Sequence, residues 1–466
     1  MKKNLGPFSF YREALAIALP VMLQQLIMSM VSLIDNFMVA GLGDISMAAV
    51  NVANQINFIF MVILNVICQA GGIYMTQFRG AGDEAGMRHA YRFKMIFALL
   101  FAALYFALCW LIPDKMLAMM TMGNAAQEEI ISAGTGYLKL ISFTLGPMAV
   151  SAAIGTSFRE IARPMVPLFI SAAATLVNTV GNWILIYGNL GAPRLEVSGA
   201  AIATVIARVF ELAVFLLYLR KARAPFFVNF GKILKVHKQL VREILSRSGM
   251  IFLSEASWVS SETIMTALYN GRGGAEVVAG MAAGWTIANI FFLLFGGIWT
   301  TTAVIIGGSL GAGKLDEARI QARWIKSGSI AAGIIVAVLG AAASALLIPL
   351  VFSNLSAGAR QISLGLVLVI LVYLPLWALL NSQFAISRSG GDAAMGMYTD
   401  LSVNTLLFVP GAFILALGTS LHPVIMFAIL KLTDIVKIFI ARHFLNKERW
   451  VKNLTRSIGL NLKTPG

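Results

Sequence analysis

Apolar runs of roughly 20 residues or more, each long enough to cross a bilayer, recur along the chain at steady spacing. They fall near 14–39, 47–77, 92–112, 133–157, 165–187, 198–219, 248–270, 278–308, 328–351, 362–386, 395–418 and 422–445. The runs lack the alternation of an outer-membrane barrel, and an unclosed strand would leave backbone groups unpaired in lipid, so the pattern predicts helices. The expectation is an all-α integral membrane protein with twelve transmembrane helices. The longest polar segment, 220–247, contains Pro225, Gly231 and a basic stretch from Lys232 to Lys238. It reads as a linker between an N-lobe, 1–219, and a C-lobe, 248–466, with a short amphipathic helix along the inner surface.

The two halves repeat each other. Gly41-Leu42-Gly43 recurs as Gly271-Arg272-Gly273, a shift of 230, and Gly80-Ala81-Gly82 as Gly311-Ala312-Gly313, a shift of 231. Pro147 is echoed by Pro375 and Arg159 by Arg388, at shifts of 228 and 229. Six helices per lobe is an even number, so both lobes enter the membrane from the same side and the repeat is parallel. Paired halves of this kind place a binding site at their interface and rock around it, which points to a transporter.

Composition agrees with a membrane setting. The chain of 466 residues is 58% hydrophobic and 12% charged, against roughly 25% charged in a soluble domain, and its mean hydropathy is +0.81. With both termini inside, the inner segments hold 28 Lys and Arg and the outer loops four, Lys115, Arg194, Arg272 and Arg360. That bias fixes cytoplasmic termini by the positive-inside rule. The net charge of +15 therefore belongs to topology and anionic lipid headgroups, not to nucleic acid. Met1-Lys2-Lys3 before an apolar run resembles a signal peptide, but the run is too long and lacks a cleavage site, so it reads as a retained helix. Cys68 and Cys109 lie in apolar spans and read as small core residues.

Several stretches resemble the multidrug and toxic compound extrusion (MATE) family. They are Ala18-Leu19-Pro20 through Gln24, Ile34-Asp35, Met38 through Gly43, Ala48-Ala49-Val50 and Gly80-Ala81-Gly82-Asp83. They continue with Gly199 through Thr204, Arg388-Ser389-Gly390-Gly391-Asp392 and Arg449 through Thr455. Their order, spacing and duplication carry the likeness from about residue 14 to 456. The resemblance implies two six-helix lobes around a central cavity and efflux of organic cations or similar amphiphiles, driven by influx of H⁺ or Na⁺. No other cofactor is implied, and a single chain holds both lobes, so it is expected to work as a monomer.

Ionisable groups inside a bilayer are costly, so each needs a reason. Asp35, in the outer part of the first helix, either reaches water or binds and releases a cation. The family places its coupling Asp in this motif, which makes Asp35 the first candidate. Glu255 in the seventh helix matches Gln25 at a shift of 230, and the resemblance reads a carboxylate there as substrate- or ion-binding. Gln25 and Gln55 join that group, the alternative for Glu255 being a structural acceptor bonded to Trp258 or to a neighbouring helix. Glu262 is a weaker candidate, and Asp400 lies near the cytoplasmic side, where water could solvate it.

Arg208 and Glu211 stand at i,i+3 and read as a structural pair, as do Lys431 and Asp434. Asn178 and Asn182 present two amides on one face, and in many relatives the second is Asp. Here the amide leaves Asp35 as the main titrating group of the N-lobe, with Asn178 and Asn182 as partners at an ion site. Pro20, Pro147, Pro375 and Pro410 lie inside spans and are expected to kink them.

The reading is a MATE-like antiporter in a prokaryotic plasma membrane. A flippase for a lipid-linked precursor from the same superfamily would need several bases facing the cavity, and the spans hold few. A membrane enzyme would need a catalytic constellation, but His89, His237, His422 and His443 form no metal spacing. A plain channel fits duplicated lobes less well than alternating access does.

Overall fold

The computed structural model describes residues 5–40, 44–122 and 126–457. Every regular element among them is helical. In order they are α1 (Phe8–Ala40), α2 (Asp44–Gly80), α3 (Glu84–Leu111), α4 (Pro113–Met120), α5 (Gln127–Ser142), α6 (Leu145–Glu160), α7 (Met165–Tyr187) and α8 (Glu196–Ala222). The second half continues with α9 (Lys238–Arg272), α10 (Ala275–Gly311), α11 (Leu315–Val351), α12 (Ala357–Ser389), α13 (Ala393–Val403), α14 (Val409–Gly418), α15 (Pro423–Lys431), α16 (Thr433–Asn446) and α17 (Leu454–Ser457).

Nine candidate spans among the described residues are long and apolar enough to cross, one of them α13 and α14 taken together through the turn between them, and the bent pair α5–α6 makes a tenth. The polar α9 and the broken pair α15–α16 complete the twelve spans expected from the hydropathy pattern. Side chains such as Leu100, Leu346 and Val372 are 63%, 76% and 73% exposed on these helices, as lipid-facing residues are.

Proline chemistry explains two of the breaks. Pro147 has no N–H to pair with the Phe143 carbonyl, and α5 and α6 meet there at 46°. Pro410 follows a π-helical turn, Asn404–Phe408, that separates α13 from α14; the extra residue re-satisfies carbonyls the proline cannot. By contrast α1 and α12 run unbroken through Pro20 and Pro375. The short α4 was not anticipated.

The repeat is visible in backbone hydrogen bonds. After α2 the Asp83 N–H donates to the Phe78 carbonyl at 2.9 Å, and after α10 the Lys314 N–H donates to Ser309 at 2.9 Å. Gly82 (φ +69°) and Gly313 (φ +78°) take the left-handed conformation these turns need. After α6 the Arg163 N–H donates to Phe158 at 2.8 Å, and after α12 the Asp392 N–H donates to Ser387 at 3.0 Å. Gly41, Leu42 and Gly43, the first members of the repeat, lie outside the described residues.

Contacts divide the chain into two units. One comprises Leu23–Arg79 and Asp83–Ile244, and the other runs from Leu245 onward with Gly80–Gly82 and the start of α1 up to Met22. The start of α1 goes with the second unit because Phe10 meets Trp324 edge-on at 5.1 Å and Thr301 Oγ1 donates to the Ala14 carbonyl at 3.2 Å. The first unit is built on Phe60, Leu138 and their neighbours, with Cys68 and Cys109 buried and unbridged in the same core. In the second unit Tyr373, Trp377, Met426 and Phe427 form the corresponding core.

Candidate functional site

The second unit contains a cavity of about 540 Å³. One face of α9 supplies Ser254, Glu255, Trp258 and Glu262, spaced at helical intervals. The aromatic wall comes from Trp285, Phe292, Phe295 and Trp299 on α10, with Trp377 and Phe384 on α12. Arg388 ends α12, Asp400 stands on α13, and Lys431, Asp434 and Lys437 come from α15 and α16. Four carboxylates thus face three bases.

These charges pair across helices. Arg388 Nη1 donates to Glu255 Oε1 at 2.9 Å, and its guanidinium lies 4.6 Å from the Trp299 ring. Lys437 Nζ sits 3.2 Å from Asp400 Oδ1 and 3.5 Å from Asp434 Oδ1. Ser254 Oγ donates to Asp400 and Trp377 Nε1 donates to Asp434 Oδ2 at 2.8 Å. Lys431 pairs with Glu262, and its ammonium lies 5.1 Å, 5.3 Å and 5.6 Å from the rings of Phe408, Phe427 and Trp377. Pairing and ring contacts of this kind offset the desolvation each charge would otherwise suffer.

Two expectations are corrected here. Lys431 and Asp434 do not pair with each other, because α15 ends at Lys431 and α16 starts at Thr433, so the i,i+3 spacing no longer sets one residue over the other. Each finds an interhelical partner instead, Glu262 for Lys431 and Trp377 for Asp434. Asp400 is not wet: it is 6% exposed and held by Lys437 and Ser254. Glu255 bonds to Arg388 on the neighbouring helix α12, one of the two acceptor partners considered for it.

Arg388 and Lys437, both 5% exposed, are the residues that sequence reasoning passed over. The signal was present: Lys437 follows Arg208 by 229 positions, and Arg388 follows Arg159 by the same interval.

In the first unit the polar groups form a smaller chain. Arg208 Nη1 donates to Glu211 Oε2 at 2.8 Å. Ser171 Oγ donates to Glu211 Oε1 at 2.8 Å, and Gln24 Nε2 donates to Ser171 at 2.9 Å. Asn178 Nδ2 donates to Thr204 Oγ1 at 3.2 Å, and Asn182 is 1% exposed. Gln25 is half-buried and Gln55 exposed. The side chain of Asp35, on α1, lies outside the described residues. Lys94 is fully buried against Glu160, Thr156 and Ser157. No cluster of metal-ligating side chains occurs among the described residues.

The family model described as MatE matches residues 20–184 and 251–414, once in each half. A probable multidrug resistance protein NorM from Neisseria meningitidis is 25% identical over 351 residues, covering 73% of each chain. The multidrug resistance protein PmpM of Pseudomonas aeruginosa is 25% identical over 323 residues, covering 67% of this chain and 64% of its own. A crystal structure of the Vibrio cholerae MATE transporter VcmN superposes with a TM-score of 0.83 at 15% identity, covering 97% of this chain and 100% of that one.

Proposed function

The chain belongs to the MatE family of membrane transporters, and from that membership we propose that it exports lipophilic cations in exchange for inward-moving H⁺ or Na⁺. The multidrug resistance relatives support efflux as the direction and drug-like molecules as cargo. The observation that carries the substrate class is the cavity of the C-terminal half. Its aromatic walls suit a flat apolar body, and four carboxylates against three bases leave one negative charge for a cation to balance.

In the proposed cycle the substrate enters from the cytoplasm or inner leaflet of a prokaryotic plasma membrane, with both termini cytoplasmic. A coupling ion at Asp35 of the monomer then weakens the hold on substrate in the outward-facing state. The ion can drive this only through different affinities for the two states. The test is ethidium efflux from energised vesicles with ΔpH and the Na⁺ gradient collapsed separately, for wild type and Asp35→Asn. Dependence on one gradient, lost in the variant, is the expected result. Full ion-coupled efflux by a normally expressed Asp35→Asn would end the proposal.

A lipid-phosphate flippase is the second reading, since three bases reach the cavity where few were expected. Each of them already holds a carboxylate, which leaves no surplus positive charge for a phosphate. Flipping of a fluorescent lipid phosphate without ethidium transport would reverse that preference.

A further inference from the structure

A second pocket, of about 690 Å³, lies in the first unit between the start of α3 and the end of α8, under the residues that follow α8. Arg88, Arg220 and Arg223 line it, and Glu84 is its one carboxylate. Arg88 is bound to Glu84 at 2.7 Å. Among the described residues Arg220 and Arg223 are exposed and make no ion pair, so the pocket carries two uncompensated positive charges. Arg223 takes a left-handed conformation (φ +42°) that ends α8 and turns the chain back beneath the pocket.

One wall is apolar and faces outward. Leu217 lines the pocket and is 70% exposed. Ile206 and Phe210, 50% and 37% exposed, stand four residues apart on α8 and share the face of Leu217. The stripe therefore runs along a membrane-spanning helix and stops at the arginines.

A soluble anion would need only the basic end of this arrangement. A charge placed at the end of a lipid-facing apolar stripe matches a headgroup with its acyl chain attached. The basic inner segments put this end of α8 at the cytoplasmic leaflet, where anionic lipids and basic juxtamembrane residues attract each other. Guanidinium groups bind phosphate oxygens in a paired geometry that a lone ammonium cannot match. We propose that this pocket binds the phosphodiester headgroup of an anionic phospholipid. The site is separate from the cavity of the other half, and the proposal stands whether or not the transport reading does.

The experiment measures lipid binding to the delipidated full-length transporter by native mass spectrometry. The probes are dioleoyl phosphatidylglycerol, dioleoyl phosphatidylcholine and inorganic phosphate. Phosphatidylglycerol should bind wild type preferentially. Arg220→Gln with Arg223→Gln should weaken it about 30-fold, the loss expected of two juxtamembrane arginines. Both side chains are exposed, so packing is preserved, and monodisperse elution checks this. The Arg220→Lys, Arg223→Lys variant, which keeps the charge but loses the paired geometry, should fall between wild type and the double Gln variant, and Lys314→Gln, a surface change in the other unit, should leave binding unaltered. Equal binding of the two lipids, wild-type affinity in the double Gln variant, or displacement of the lipid by millimolar phosphate would each overturn the proposal, the last by assigning the pocket to a soluble anion.

Discussion

The two halves of the molecule use one backbone plan and arrive at different chemistry. Gln24 donates to Ser171 in the first half, and Ser254 donates to Asp400 at the matching positions of the second. Arg208 and Lys437 also match, 229 residues apart. The difference lies in where the acid stands. In the first half it is Glu211, one turn along the same helix as Arg208, so the pair travels with its helix as a unit. In the second half Lys437 has a local acid, Asp434, at 3.5 Å but also reaches Asp400 on another helix at 3.2 Å, and Arg388–Glu255 and Lys431–Glu262 also cross between helices. A local pair neutralises charge whatever the helices do. An interhelical pair depends on their spacing. Among the described residues, charge pairing tied to helix position therefore dominates the second half, with three such pairs beside the local Lys437–Asp434 contact, and in the first half rests on Lys94–Glu160.

The largest expected effect breaks that comparison directly. Lys437→Met leaves Asp400 and Asp434 buried without their base and should cost about 3–5 kcal/mol. Arg208→Met should cost much less, about 1 kcal/mol, because Arg208 is partly exposed and Glu211 keeps the Ser171 hydroxyl. Thermal unfolding of the two variants in detergent decides it. Equal losses would mean that local and crossing pairs are equivalent here.

Next in size is a difference in transport. Glu255→Gln removes the carboxylate that holds Arg388, and ethidium efflux should fall about tenfold or more, a change of ~1.4 kcal/mol. Gln25→Ala, at the matching position of the first half, should change efflux by less than about threefold. Initial efflux rates at matched expression provide the check. A comparable fall in both variants would place the substrate contacts in both halves alike.

How much of this was legible beforehand follows from the range of each interaction. All twelve spans could be read because lipid demands long apolar helices, and that demand is local in sequence. The Arg208–Glu211 spacing is visible for the same reason, since i,i+3 neighbours on one helix must share a face. The partners of Glu255, Lys431 and Asp400 were not legible, because they lie on other helices and spacing carries no information about them. The break at Leu432 was also silent, with no Gly or Pro at the joint, and it separates Lys431 from Asp434. Repeat alignment was the signal left unused: the matches of Arg388 with Arg159 and Lys437 with Arg208 mark conserved slots within this one chain.

The smallest effect sharpens the comparison at a shared turn. Gly391 (φ +81°) closes α12, and Ala162 (φ +61°) occupies the same place after α6. A Cβ on Gly391 would lie 2.9 Å from Leu454 Cδ1 and 3.0 Å from Arg247 Nε, the nitrogen that donates to the Gly391 carbonyl at 2.9 Å. Gly391→Ala therefore adds left-handed strain, roughly 1–2 kcal/mol, to a disturbed hydrogen bond. Ala162 already carries that strain, so Ala162→Gly relieves it while raising the entropy of the unfolded chain by about 0.5–1 kcal/mol. The net change should be a gain of about 0–1.5 kcal/mol. Opposite signs in paired melting curves would show that both halves need the same left-handed residue and that only the second has built side chains around its absence of a Cβ. If Ala162→Gly were as destabilising as Gly391→Ala, the Ala162 methyl would have to make packing contacts worth more than the strain it bears, and the two turns would be alike only in their backbone.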